Sequence, residues 1–203
     1  MYEGQLFVVS GPSGTGKGTI CKMFLEEATG ACLSISMTTR RPRPGEAHGE
    51  SYYFISHEEF QSKIEAEGFF EYAHVYGNYY GTPKQEVLDT LKQGIDVILE
   101  IDTQGALQVK KWYPKGIFIF ILPPSMAELR RRLTTRGAET EEEINLRMSK
   151  AMAEISFINE YNYYIVNADL TESVGKMNAI VTAERSRVSQ TVHHIIKEYR
   201  EEI

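Results

Sequence analysis

Leu6-Phe7-Val8-Val9-Ser10, followed directly by Gly11-Pro12-Ser13-Gly14-Thr15-Gly16-Lys17-Gly18-Thr19, is the stretch from which the rest of this 203-residue chain can be read. The apolar run reads as a buried strand, and the helix-period positions Ile20, Phe24 and Ala28 follow the glycines. Strand, glycine loop and helix come in the order that a phosphate cradle requires. Without Cβ atoms in the way, consecutive backbone N–H groups can converge on phosphate oxygens at the positive end of the helix. Lys17 supplies a point charge for the β- and γ-phosphates. The usual pattern sets Ser or Thr directly after the lysine to ligate magnesium, but here Gly18 stands there and Thr19 follows.

Composition limits what surrounds this loop. The length suits one sizeable core with inserted segments. A net charge of −6 argues against gripping nucleic acid by bulk electrostatics, so an anionic ligand must be met by local clusters. The opening residues MYEGQLFVVSG carry no basic stretch ahead of their apolar run, and no apolar segment approaches the roughly 18 residues that span a bilayer. The expectation is a soluble, cytoplasmic protein with no membrane or nucleic-acid partner. Cys21 and Cys32 fall on the first helix and the second strand, with no Cys or His at metal-ligand spacing, and are expected to be reduced, core-packed thiols.

Strand signals at Leu6 to Ser10, Leu33 to Ser36, Val97 to Ile101, Ile117 to Leu122 and Tyr164 to Val166 alternate with helix signals, as in a parallel α/β sheet flanked by helices. Thr82-Pro83 reads as N-cap and first residue of a helix that stops at Gly94. Ser125 with Glu128, and Thr140 with Glu143, have capping-box spacing. The last helix carries Val188, Val192, Ile195 and Tyr199 as an apolar stripe, which is expected to close the core.

Two excursions interrupt the alternation. Residues 37–82 are too many for an ordinary connection and predict an inserted subdomain, leaving 1–36 and 83–203 as the core. The insert clusters Arg40, Arg41 and Arg43, stiffened by Pro42 and Pro44, with phenols at Tyr52, Tyr53, Tyr79 and Tyr80. Arginine forks of this kind suit a doubly charged monophosphate. The second excursion, 124–148, reads as a short helical lid bearing Arg130, Arg131, Arg132, Arg136 and Arg147, with Arg132 and Arg136 on one helical side. Arginines that stabilise a transferring phosphoryl group contribute about 10³ to 10⁵ in rate. Arg130 and Arg131 read instead as charged surface.

TTRRPRPGE at Thr38 to Glu46, GNYYGT at Gly77 to Thr82, ILEIDTQG at Ile98 to Gly105 and RLTTRGAETEEEINLR at Arg132 to Arg147 resemble the guanylate kinases over nearly the whole chain. The GKGT variant likewise resembles the loops of nucleoside monophosphate kinases, in which magnesium is held mainly by phosphates and water. The resemblance implies magnesium-dependent transfer of the ATP γ-phosphate to GMP, giving ADP and GDP. It implies that Arg40, Arg43, Tyr52 and Tyr80 hold the GMP phosphate, and that Ser36, Glu71, Thr82 and Asp102 surround guanine. It further implies that Gly11, Pro12, Ser13, Gly14, Thr15, Gly16, Lys17, Gly18 and Thr19 hold ATP, with Asn167 near adenine. Lys17, Arg132, Arg136 and Arg147 would be catalytic, the arginines closing over the ATP phosphates.

The base assignment has its own chemistry, because guanine presents N1–H and a 2-amino group side by side and one carboxylate can accept from both. A site left unpaired by the wrong base can discriminate by about 10⁴ to 10⁵. Glu71 is the expected reader. Asp102 ends an apolar strand at the carboxyl edge of the sheet, where it could contact the base or orient a magnesium-bound water. Asp102-Thr103-Gln104-Gly105 also fits the DxxG of GTPases, but no N/TKxD follows. An adenylate kinase would lack the Arg-Pro-Arg and GNYYG segments, and a noncatalytic binding module would lack the lysine loop.

Overall fold

Along the chain the elements are β1 (Leu6–Ser10), α1 (Lys17–Glu27), β2 (Ala31–Leu33), β3 (Met37–Thr38), β4 (Tyr53–Phe54), α2 (His57–Glu65), β5 (Phe69–Val75), β6 (Asn78–Pro83), α3 (Lys84–Lys92), β7 (Asp96–Glu100), α4 (Thr103–Trp112), β8 (Ile117–Leu122), α5 (Met126–Thr135), α6 (Glu141–Ile155), β9 (Tyr163–Val166), α7 (Leu170–Arg185) and α8 (Thr191–Glu201). They come from a computed structural model that describes residues 3–75, 77–135, 140–188 and 191–203. Five strands form one sheet in the order β2-β7-β1-β8-β9, each neighbouring pair parallel. Both faces of this sheet are covered, which is why β1, β7 and β8 read as continuous apolar runs. Phe7 and Val9 pack with Ile20 and Phe24 of α1 and Val174, Met177 and Val181 of α7. Leu6 and Val8 pack on the opposite face with Val87 and Leu91 of α3 and Val109 of α4. The α/β class and the parallel sheet flanked by helices are therefore as predicted.

A second sheet of order β4-β3-β6-β5 lies within the long segment between β2 and α3. Its own small core is Met37, Phe60 and Phe69, with Phe60 stacked on Phe69 at 4.4 Å and on Tyr79 at 5.2 Å. The antiparallel β5–β6 ladder pairs Phe69 with Pro83 and Glu71 with Thr82, so the register slips between them. A slip of this kind opposes two residues to one and breaks strict alternation. Phe69 consequently packs in the small core while Phe70 packs with Leu6, Val8, Val97 and Leu99 in the main one.

The strands expected at Val97 to Ile101 and Tyr164 to Val166 begin one residue earlier, at Asp96 and Tyr163, and three further features differ from expectation. The second strand is Ala31–Leu33, and only the Ser34 N–H continues its pairing, to the Ile98 carbonyl at 2.9 Å. Pro83 rather than Thr82 is the N-cap of α3, because the Thr82 hydroxyl is committed to Glu71. The last helix does not close the core: Val188 lies ahead of it, and on the helix Ile195 is 45% and Tyr199 62% exposed. The physical reason is that α7 already covers that face of the sheet. The Thr140–Glu143 capping box forms reciprocally, whereas at Ser125 only the Glu128 N–H bond to Ser125 Oγ forms, because the Glu128 carboxylate is taken by Arg131 and Arg132. Cys21 is buried and Cys32 half-buried, both as free thiols. Among the described residues no helix is long and apolar enough to cross a membrane.

Candidate active site

The loop after β1, Asp102 after β7 and Asn167 after β9 all follow the carboxyl ends of strands of the main sheet, the edge where parallel α/β folds bind ligands. The loop after β1 wraps two neighbouring cavities of about 410 and 440 Å³, both lined by Gly14, Gly16 and Thr19. Gly16 caps α1 with φ +91°, and a Cβ there would lie 2.5 Å from Asn167 Nδ2. That close approach is structural: Asn167 Nδ2 donates to the Thr15 carbonyl at 2.8 Å, while Asn167 Oδ1 accepts from Ser173 Oγ. Thr15 is buried, and its hydroxyl donates to the Pro12 carbonyl. The loop is thus braced from inside before any phosphate arrives, while Ser13 stays exposed.

Lys17 Nζ donates to the carbonyls of Gly11 at 2.6 Å and Pro12 at 3.2 Å. Burial lowers its pKa, and Glu100, Glu154 and Asp102 act in the other direction. All three acids line the larger cavity with Lys17. A Cβ on Gly18 would sit 3.1 Å from a Glu100 carboxylate oxygen, so the position after the lysine is glycine where a carboxylate from β7 needs the room. The smaller cavity is flanked by Arg132, Asn167 and Ala168. Arg132 Nη2 donates to the Asn167 carbonyl at 2.9 Å, and its Nε donates to Glu128 Oε1 at 2.9 Å. Arg147 lies half-buried on α6, and Arg136 falls outside the described residues.

On the second sheet, Arg40 lies over the Tyr52 ring at 5.5 Å, and Tyr52 meets Tyr80 edge-on at 6.0 Å. Arg40 Nη2 donates to Glu46 Oε1 at 2.8 Å, and the Arg43 N–H donates to the other oxygen of Glu46 at 2.8 Å. Glu46 thereby organises the turn that carries both arginines, and these bonds hold its carboxyl below the ordinary range. The Arg43 side chain is exposed. Burial and the neighbouring Tyr80 raise the Tyr52 phenol. Ser36 ties this sheet together through its carbonyl, which accepts from Tyr53 N–H.

Glu71 is 8% exposed, and its Oε1 accepts from Thr82 Oγ1 at 2.6 Å. Its carboxylate lies against α4, where a Cβ on Gly105 would approach Oε2 to 3.0 Å. Asp102 is the N-cap of α4, accepting from the Gly105 N–H at 2.7 Å, so the carboxylates of Glu71 and Asp102 share one helix end. Desolvation, with a smaller push from Asp102, raises the Glu71 carboxyl to about 7 in spite of the Thr82 hydrogen bond. The arrangement offers a glycine loop with a lysine, an arginine already docked on that loop, a buried acid held by Thr82, and on the second sheet an arginine over two phenols. Sequence reasoning misses Glu100, Glu154 and Glu46, and it finds Glu128 only as a capping residue. Glu100 alone left a signal, as the first charge to end the apolar run of β7.

A protein-family model for guanylate kinase matches residues 3–184. A guanylate kinase of Clostridium tetani is 54% identical over 196 residues, covering 97% of this chain and 94% of its own. One of Clostridioides difficile is 49% identical over 201 residues, covering 99% of this chain and 98% of its own. Among solved structures, the guanylate kinase of Anaplasma phagocytophilum superposes with a TM-score of 0.72 at 34% identity, covering 92% of this chain and 89% of that one.

Proposed function

We infer what this site does from one premise, that the chain belongs to the guanylate kinase family. It transfers the γ-phosphate of ATP to GMP and releases ADP and GDP. The observation that carries the reading is the buried Glu71 carboxylate, held by Thr82 on a sheet of its own beside the lysine loop. A phosphate loop alone fits any nucleotide hydrolase. A buried acceptor facing it fits a base that offers two adjacent donors, and guanine does.

Lys17 and the backbone N–H groups of Gly11 to Gly18, Pro12 apart, hold the β- and γ-phosphates of ATP. Adenine lies along the side where Asn167 and Ala168 line the smaller cavity. Arg40, Arg43, Tyr52 and Tyr80 hold the GMP phosphate, while Ser36, Glu71, Thr82 and Asp102 take the base. Two polyanions must be brought together, and the cations of Lys17, Arg132, Arg136, Arg147, Arg40 and Arg43 offset their repulsion. Proton abstraction is not needed, since the GMP phosphate is an anionic nucleophile at neutral pH. Residues 37–82 act as the GMP-binding insert and 124–148 as the lid, on a core of 1–36 and 83–203. Substrates draw both inward, which excludes water that would otherwise take the phosphoryl group.

The donor set fits magnesium held through phosphates and water. Gly18 offers no hydroxyl, and among the described residues no three Asp, Glu, His or Cys side chains are spaced to hold an ion by themselves. Magnesium keeps several waters, and the carboxylates of Glu100 and Asp102 line the same cavity as Lys17, where they can accept from those waters. When bound, the ion draws charge from the β- and γ-phosphate oxygens. Two soluble nucleotides as substrates suit a cytoplasmic protein.

A coupled ADP-release assay with GMP, AMP, CMP and UMP in turn tests the reading. GMP should support turnover at least 10⁴ times more efficiently than AMP, the order of discrimination reached when buried polar groups go unpaired. Comparable kcat/KM for AMP would overturn it.

A further inference from the structure

Arg132 is held in place by acceptors before substrate binds. Its Nη2 bonds the Asn167 carbonyl at 2.9 Å, its Nη1 lies 3.5 Å from the Thr15 carbonyl, and its Nε bonds Glu128 Oε1 at 2.9 Å. A guanidinium has five N–H donors in a fixed plane, so these three contacts leave two, and Arg132 lines the cavity together with Gly14 and Gly16. Two of the anchors are backbone carbonyls of the loop and of the segment after β9. The third is a side chain, so it is the anchor that a substitution can remove.

Glu128 is itself fixed. Its N–H is bonded to Ser125 Oγ at 3.1 Å, which seats it in the first turn of α5. Its carboxylate accepts two bonds from Arg131, at 2.7 and 2.8 Å, and the third from Arg132. Arg131 is 69% exposed, whereas Glu128 and Arg132 are each 24% exposed. The outer arginine therefore pins the acid on its solvent side, and the acid orients the inner arginine over the loop. Together the two arginines hold the Glu128 carboxyl down to about 2, so it stays anionic throughout the working range. Planar guanidinium geometry makes such an orienting bond directional as well as attractive.

We propose that Glu128 is a positioning residue for phosphoryl transfer, presenting the Arg132 guanidinium to the ATP phosphates, with Arg131 as the outer brace of that acid. The proposal rests on the reading that Arg132 acts at those phosphates. Because near-attack geometry is sensitive to small misplacement, loss of the orienting bond lowers kcat and leaves GMP recognition on the other sheet untouched.

The test is a double-mutant cycle of Glu128→Ala and Arg132→Ala, with Glu128→Gln as the conservative variant. ATP and GMP are varied separately, and the thermal midpoint is measured for each protein. Glu128→Ala should lower kcat by roughly five- to twentyfold with KM for GMP within about twofold of the parent. Glu128→Gln, which keeps an oxygen acceptor for Arg132 Nε, should recover part of the loss. In the Arg132→Ala background, Glu128→Ala should change kcat by less than about twofold, because its effect passes through that arginine. A stabilising role alone would shift the midpoint and give additive losses. Parent-level kcat in Glu128→Ala, a rise in kcat, or full additivity with Arg132→Ala would each overturn the proposal. Parent-level turnover in Arg132→Ala would instead sink the assignment of Arg132 itself.

Discussion

At the scale of single residues, the two subsites differ in how their charges are kept. Lys17 sits among three carboxylates with its ammonium on loop carbonyls; in the proposed reading the ATP phosphates take the place of those carbonyls. Lys17→Ala should therefore lower kcat by about 10² to 10³ or more while leaving GMP affinity within about twofold, since the lysine addresses only the donor side. Isothermal titration with GMP and single-turnover assays separate the two, and turnover near the parent level would remove Lys17 from the loop's chemistry. Glu71 is the opposite case, a carboxyl whose ionised form burial disfavours until about pH 7. Guanine's two donors need the anion, which is present above that value and lost below it. KM for GMP should thus rise roughly eightfold from about pH 7.5 to about pH 6 beyond the change due to the GMP phosphate's own ionisation, with KM for ATP unaffected. Glu71→Gln supplies the reference, because its profile contains only the phosphate term. It should also lower kcat/KM for GMP by about 10² or more at neutral pH, with the apparent affinity for ATP unchanged. A parent profile that parallels the Glu71→Gln profile would take the carboxylate out of the base pocket.

At the scale of elements, the end of α7 is pinned to the start of β7 by one buried acid. Asp96 is 1% exposed, and it accepts from the Gln5 N–H at 2.7 Å and from Arg185 Nε at 2.7 Å. Arg185→Ala leaves that carboxylate short of its counter-ion, a loss of about 3 to 5 kcal/mol for a wholly buried pair. Arg185 is 35% exposed, so solvent screening reduces the expected cost to about 1 to 3 kcal/mol. Urea unfolding checks it, and a change below about 0.5 kcal/mol would mean that the pair is decorative. What could be read beforehand follows a similar division between elements and partners. Buried strands such as β1 and β8 announce themselves by unbroken apolar runs, and the phosphate loop by its spacing, so the sheet and its edge were legible. The slip between Phe69 and Glu71 was not, since it depends on which of two adjacent phenylalanines each core accepts. Thr82 misled for a related reason, because a threonine before proline has the form of a cap and only the fold brings Glu71 within 2.6 Å of it. Glu128 had been read only as part of a capping box, and its side chain turns instead to Arg131 and Arg132.

At the scale of the whole molecule, the second sheet is attached to the first through Phe70, which packs in the main core, and through Glu71 against α4. Motion of this sheet on substrate binding should be least at that attachment and greatest far from it. Hydrogen exchange with GMP and a nonhydrolysable ATP analogue should slow in residues 37–66 and 141–150 more than in 69–71; equal exchange with and without ligands would argue against closure. The other end of the chain is governed by a different balance. Glu184 is buried, its carboxylate accepts from Tyr163 OH and its carbonyl accepts from Gln5 Nε2, so the core has use for the chain up to that point. Beyond it, Val188, Ile195 and Tyr199 are exposed, and α7 has already filled the sheet face that an apolar helix would cover. Removing exposed side chains costs within about 0.5 kcal/mol each way, which for a chain of this size is about 2 °C or less in the midpoint. A protein ending at Arg187 should therefore keep parent kcat for GMP and a midpoint within about 2 °C. One ending at Ala183 should lose both, because the Gln5 side-chain amide and the Tyr163 hydroxyl would lose their Glu184 acceptors and Asp96 its counter-ion. A drop of more than about 5 °C in the longer truncation would show that α8 packs on the core in solution.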